Sequence, residues 1–253
     1  MSELLKTKLK RQVLTIGSWI TFGHTSIAEI MAKGGFDWLT VDMEHSAITL
    51  SEAQKLIQII ELAGIAPLVR VGENDACLIK RVMDAGAHGV IVPMVNSREE
   101  AIKAVDAVKY PPAGRRGVGL ARAQGYGLEF EKYKKRINKE SIVVTQIESI
   151  EAIDNLKEIL EVEGVDASII GPYDLSASLG YPGEFERKEV KEAIKRYIRV
   201  CKELKKSAGL HVVPPVAKKL DDAIEKGFKF IGFGFDALFL GQKIKEELEK
   251  IKR

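Results

Sequence analysis

At 253 residues and 28.0 kDa the chain is long for one small core but the usual size of one closed α/β barrel, so a single domain over residues 1–253 is expected. Its hydrophobic fraction of 45% includes no run near the roughly 20 apolar residues of a membrane span, and a net charge of +3, with lysines interleaved among glutamates, argues against nucleic acid. The basic opening MSELLKTKLKRQ lacks the apolar core of a signal peptide, which points to the cytoplasm.

In chain order, a strand from about Leu14 to Trp19 leads through Ile20-Thr21-Phe22-Gly23-His24 to a helix capped by Thr25 or Ser26. Phe36 to Asp42 forms a second strand, Met43-Glu44-His45-Ser46 a loop, and Thr49 or Ser51 caps a helix whose apolar positions Leu56, Ile59, Ile60 and Ala63 end at Gly64. Pro67 to Val71 is the third strand, followed by a helix starting at Asn74 or Asp75. His88 to Pro93 is the fourth, with Asn96 or Ser97 capping a helix to about Val108. Tyr110 to Gly127 breaks the rhythm, being rich in Gly, Pro and Arg, and an irregular insert of this length in a compact domain is usually functional or interfacial. After a short helix near Leu128 to Asn138, strands return near Ile142 to Ile147, Asp166 to Ile170, Leu210 to Val213 and Lys229 to Phe233. Cys201 falls in phase with Val190, Ile194 and Ile198 on a helix, as a core residue would, and Cys77 carries no redox signal.

Eight strands alternating with helices allow a closed barrel or an open doubly wound sheet. The glycine fingerprint of the open dinucleotide-binding class is absent after the first strand, which favours an α/β TIM (β/α)8 barrel. Barrel enzymes build their sites where strands end at the carboxyl edge. That rim reads Asp42 and His45, then Arg70, Pro93, Gln146 and Glu148, Gly171 to Asp174, His211, and Gly232 to Asp236.

Glu148 and Asp174 each terminate an apolar strand, and two acids converging on one rim offer oxygen ligands to a hard divalent cation; the plainer role is a pair of helix caps. Arg70, at the end of an apolar strand, needs an anionic partner. That partner is a substrate carboxylate or enolate oxygen, or else a structural bridge to Glu148 or Asp42. His45, three residues after Asp42, fits a general base whose second ring nitrogen the carboxylate holds. His211 interrupts an apolar strand and so lies in the barrel or at its mouth, Tyr173 leans toward the mouth, and His88 sits on the opposite, stabilising face.

With these residues identified, the chain resembles the HpcH/HpaI family of class II, metal-dependent pyruvate aldolases, the 4-hydroxy-2-oxoheptanedioate and 2-dehydro-3-deoxyglucarate aldolases among them. The resemblance runs from about Gly17 to Gly241. It rests on Phe36-Asp37-Trp38 through Val41-Asp42-Met43-Glu44-His45, Val69-Arg70-Val71, Tyr110-Pro111-Pro112 through Arg116-Gly117-Val118, Gln146-Ile147-Glu148-Ser149 and Gly171-Pro172-Tyr173-Asp174-Leu175.

The resemblance implies a barrel of the phosphoenolpyruvate/pyruvate superfamily type, assembled as a hexamer with a helix exchanged between subunits. It also implies Mg, Mn or Co on Glu148 and Asp174, and cleavage of a 4-hydroxy-2-oxo acid to pyruvate and an aldehyde through a pyruvate enolate held by that metal. Arg70 would stabilise the developing charge, the Asp42-His45 pair would activate a water, Gln146 would steady the pyruvate, and amides near Gly171, Pro172 and Tyr173 would seat its carboxylate. Tyr173, His211 and Gly23-His24 depart from the family's usual residues on the aldehyde side, where Tyr173 and His211 are expected to restrict a polar hydroxyaldehyde or an acid semialdehyde. Alternatives are a coenzyme A thioester lyase or phosphoenolpyruvate mutase-like enzyme, with Arg115 and Arg116 serving phosphate or a neighbouring subunit, and a non-catalytic barrel that binds a small acid.

Overall fold

The computed structural model describes residues 3–251. Strands β1 (Thr15–Ile20), β2 (Trp38–Asp42), β3 (Ala66–Arg70), β4 (Gly89–Val92), β5 (Ile142–Ile147), β6 (Ala167–Ile170), β7 (Ser207–Val212) and β8 (Phe230–Phe235) close into one barrel in sequence order, β8 pairing with β1. Every pairing is parallel. Strands covered on both faces need apolar residues on both, and β5 is buried along its whole length. Ile142 and Val144 point into the barrel with Trp38, Leu68, Ile91, Ile169 and Phe230, whereas Val143 and Ile147 join the larger core beneath the helices. All eight strands therefore present their carboxyl ends on one rim.

The helical layer comprises α1 (Leu5–Lys10), α2 (Thr25–Ala32), α3 (Leu50–Leu62), α4 (Ala76–Asp84), α5 (Arg98–Val108), α6 (Phe130–Glu140), α7 (Ile150–Asp154), α8 (Leu156–Leu160), α9 (Pro172–Ser178), α10 (Lys188–Glu203), α11 (Ala217–Glu225) and α12 (Asp236–Glu249). Thr49 caps α3 in a reciprocal box with Glu52, and Asp75 and Ser97 cap α4 and α5 through their side chains, which settles three pairs of alternatives left by the sequence. At α2 the expected Thr25 or Ser26 cap is corrected to His24, whose Nδ1 accepts from the Ser26 amide at 3.2 Å. No helix among the described residues is long and apolar enough to cross a membrane.

Helix α1, which the sequence did not announce, seals the amino-terminal end of the barrel. Leu5 and Leu9 pack into the barrel interior, Lys6 Nζ lies 2.9 Å from Asp166, Lys8 Nζ 2.6 Å from Asp37, and Ser207 Oγ donates to the Leu9 carbonyl. Close approach inside the barrel also dictates Gly17. A Cβ there would lie 2.0 Å from the Trp38 ring, which is fully buried and stacked on Phe230 with centroids 4.3 Å apart. Neither ring has room to retreat, so Gly17→Ala is expected to destabilise the fold by about 3 kcal/mol. Urea unfolding at equilibrium measures this; an unchanged midpoint would mean the indole moves freely.

The irregular insert after α5 contains a 3-10 turn, Arg122–Gly127. The expectation that Arg115 and Arg116 serve a phosphate or a neighbouring subunit is corrected for Arg116. The Arg116 side chain is wholly buried, donating to Asp84 at 3.0 Å, the Tyr133 hydroxyl at 2.8 Å and the Val108 carbonyl at 3.1 Å, with its guanidinium 4.6 Å above the Tyr110 ring. A charge so enclosed anchors the insert to α4, α5 and α6 and is not available to a phosphate. Arg115 is exposed and lies 3.2 Å from Asp106.

Candidate active site

Register places the first pair. Asp42 ends β2 directly opposite Arg70 at the end of β3, and the two side chains form a two-pronged bridge, Nε to Oδ1 at 2.9 Å and Nη2 to Oδ2 at 2.6 Å. Burial pushes the Asp42 carboxyl up, but Arg70 and the Glu44 and His45 amides outweigh it, so Asp42 sits below the ordinary carboxylate range. The other side of the guanidinium faces Glu44, Nη1 to Oε2 at 3.2 Å, and its flat face covers the Trp19 ring at 4.4 Å from the centroid. Three neighbours, Asp42, Glu44 and Trp19, hold Arg70 flat in the mouth of the barrel.

The Asp42-His45 arrangement expected from sequence is corrected. Asp42 accepts from the backbone of His45 at 3.2 Å and of Glu44 at 3.1 Å, because its oxygens are held by Arg70, and the His45 ring stands exposed with Nε2 3.7 Å from Glu44 Oε2. Glu44 is the carboxylate behind the imidazole. Burial raises its carboxyl above the usual range despite Arg70, the Glu148 charge adds to the rise, and Oε2 has no hydrogen-bond partner among the described residues.

Across the mouth, Glu148 follows β5 and is nearly inaccessible. Gln146 donates to its Oε1 and the Met94 amide to its Oε2 at 3.0 Å. Met94 reaches that position with φ of 51°, a left-handed conformation that costs a non-glycine residue energy and is found where a site needs a backbone group aimed. Gly171 leaves the space Glu148 fills, since a Cβ there would stand 3.0 Å from its carboxylate. Burial raises the Glu148 carboxyl, the two hydrogen bonds oppose the rise, and the nearby Asp174 charge adds to it. Two anions held close together, one short of solvent, form a donor set that a divalent cation would relieve. No third His, Cys, Asp or Glu joins them among the described residues, so a hard divalent cation held here would take its other oxygens from water or a chelating substrate.

Glu148 and Asp174 line one cavity of about 710 Å³ with His45, Arg70, Gln146, Gly171, Pro172, Tyr173 and His211. Asp42 stands behind Arg70. Tyr173 is 60% exposed and packs edge-on against Phe185 with centroids 4.8 Å apart, forming part of the lip. The amides expected to seat a carboxylate are narrowed: Gly171 donates its own to Ile147 in the strand ladder and Pro172 has none, which leaves those of Tyr173 and Asp174 in the first turn of α9. His88, at the far end of the barrel, lies 3.5 Å from Glu61 and belongs to a separate network with Arg122.

The model of the HpcH/HpaI aldolase/citrate lyase family matches residues 15–241. The chain belongs to this family. Over 255 aligned residues, covering all of this chain and 94% of the relative, it is 37% identical to the 2-keto-3-deoxy-L-rhamnonate aldolase of Escherichia coli (strain K12). The crystal structure of an HpcH/HpaI aldolase/citrate lyase family protein from Burkholderia cenocepacia J2315 superposes with a TM-score of 0.92 at 30% identity, covering 97% of this chain and 98% of that one. The HpcH/HpaI aldolase from Desulfitobacterium hafniense DCB-2 gives 0.90 at 31% identity, covering 100% and 98%. In this HpcH/HpaI member the mouth also uses Trp19, Glu44 and Met94, which sequence reasoning does not single out. Glu44 had a signal, an acid between Asp42 and His45, while the aimed amide of Met94 leaves none.

Proposed function

We propose that the chain is a divalent-metal-dependent aldolase that cleaves a 4-hydroxy-2-oxo acid to pyruvate and an aldehyde. The observation that carries this reading is the meeting of Glu148 and Asp174 with Arg70 and His45 in one cavity, in a chain that aligns end to end with a named aldolase. Glu148 and Asp174 would hold the cation, of which Mg, Mn and Co are the candidates. When bound, it supplies Lewis acidity to the 2-oxo group of the substrate. Gln146 and Met94 fix the Glu148 carboxylate so that its orientation does not depend on occupancy.

Arg70 has its Nε and one Nη2 hydrogen committed to Asp42 and its Nη1 beside Glu44, and it lines the cavity with its charge near the place where the electron pair released from the C3–C4 bond collects on oxygen. His45, exposed at the mouth and backed by Glu44, takes the proton of the C4 hydroxyl directly or through one water as the C4 carbonyl forms. A proton returned to C3 completes pyruvate. Among the described residues no lysine stands at the carboxyl end of a strand to form a Schiff base; Lys219 and Lys226, the two lysines that line the cavity, are exposed on and just after α11.

The expected result is pyruvate release from 4-hydroxy-2-oxo acids that requires Mg, Mn or Co and stops with chelator. Release that survives exhaustive chelation would overturn the metal reading. The active form is a homo-oligomer in the same proposal, supported by Leu240, Ile244 and Leu248, which leave an apolar row exposed at four-residue spacing along α12.

A further inference from the structure

His211 is a histidine whose protonation can be worked out from its neighbours. Its Nε2 lies 3.1 Å from the Gly234 carbonyl oxygen, and a carbonyl only accepts, so Nε2 carries the hydrogen. Burial holds the ring's pKa down at about 4, partly offset by that hydrogen bond, so the imidazole is neutral near pH 7 and has one N–H only. Nδ1 is therefore a bare acceptor. It has no protein partner among the described residues.

Two contacts fix the direction of that acceptor. The Cδ2–Nε2 edge lies against β8, since Nε2 meets Gly234 and a Cβ on Gly232 would stand 3.4 Å from Cδ2. The opposite edge, with Nδ1, faces away from β8, and His211 lines the same cavity as Gly171 and Glu148. Trp19, with its centroid 5.2 Å from the imidazole, and Phe235, at 6.4 Å, keep the ring from turning over.

We propose that His211 Nδ1 accepts a hydrogen bond from a hydroxyl on the aldehyde half of the substrate, so that the enzyme selects polyhydroxylated, sugar-acid-like 2-oxo acids over acid semialdehyde adducts. This rests on the aldolase reading and chooses within it. A substrate hydroxyl can donate to a bare nitrogen. A second carboxylate cannot, and would confront an acceptor with an acceptor in a partly desolvated pocket. Besides Arg70, already paired with Asp42 and Glu44, the lysines and arginines lining the cavity among the described residues are Lys219 and Lys226, which are exposed and have Asp222 among them along the cavity wall.

The test is pyruvate release, with saturating magnesium or manganese, from three 4-hydroxy-2-oxo acids of equal chain length: one bearing a C5 hydroxyl, its 5-deoxy partner, and one ending in a carboxylate. The wild-type kcat/KM is expected to favour the C5 hydroxyl by about tenfold over each of the others, and in His211→Leu the ratio to the 5-deoxy compound falls to near one. A wild-type ratio near one, a preference for the carboxylate, or a ratio unchanged in His211→Leu overturns the inference while leaving the aldolase reading in place. No release from any of the three overturns both. Nitrogen-15 spectra of wild-type protein give a reading that does not depend on the variant folding. The His211 Nδ1 resonance should start as an unprotonated nitrogen and shift with glyceraldehyde but not with propanal; a protonated Nδ1 in the free protein sinks the proposal.

Discussion

Glu148→Gln is expected to abolish metal-dependent pyruvate release, with kcat reduced by at least about 10³-fold, while the ion-free protein melts no lower than the parent. The two effects have opposite signs because of where Glu148 sits. Its folded pKa is raised above the ordinary 4.5 by burial and by the Asp174 charge, so the folded state holds its proton to higher pH than the unfolded chain does. Stability therefore declines as pH climbs from 4.5 through the raised value, and at neutral pH the ionised carboxylate is a standing cost in the ion-free protein. Glutamine removes that cost and the like-charge repulsion, at the loss of one acceptor for Gln146 or Met94. It also removes half of the anionic ligand set. Thermal melts with and without manganese provide the check: the parent should gain stability on adding the ion, by about 2.7 kcal/mol at a hundredfold excess over Kd, and the variant should gain little. A variant that keeps both the ion-induced gain and its turnover would remove Glu148 from the metal site.

Substitution of Arg70 should separate charge from geometry. Lysine keeps the charge but cannot hold both oxygens of Asp42 and still lie flat over Trp19, so Arg70→Lys is expected to fold and to lose about 10²- to 10³-fold in kcat. Methionine keeps the volume and leaves Asp42 ionised without its partner in a nearly closed site. Breaking a buried pair in this way costs about 3–5 kcal/mol. The acid response carries the same signature. Asp42 has a folded pKa below the ordinary 3.8, so its contribution is fully present above that value and fades as pH falls through the depressed one. Arg70→Met should lose this part of the acid unfolding curve. If the lysine variant turned over like the parent, Arg70 would act as a diffuse charge and the bridge to Asp42 would be structural only.

Much of this arrangement is legible in the sequence because strand ends are. An apolar run that stops at a charged residue, as at Arg70 or Glu148, identifies both the strand and the rim, and β5 keeps the bounds that its composition predicts. What sequence misjudges is partnership. Asp42 and His45 look like a pair because they are three residues apart, yet parallel register sets Asp42 beside Arg70, which is 28 residues away. Arg116 fails for the same reason: its cage comes from Asp84, Tyr110 and Tyr133, and nothing near it in the chain distinguishes it from exposed Arg115. Helix α1 is too short for propensity to declare it, and Leu5 and Leu9 become a face only when the barrel floor exists to receive them.

That floor is built from segments far apart in the sequence. The partners of α1 include Asp166 and Ser207, and the strand that follows it pairs with β8, so α1 has no complete seat until β8 has been made. Contacts spanning nearly the whole chain make closure a late event in folding. A nascent chain arrested before Phe230 would thus keep its amino-terminal helix undocked and open to proteolysis, however well β2 to β5 had already assembled.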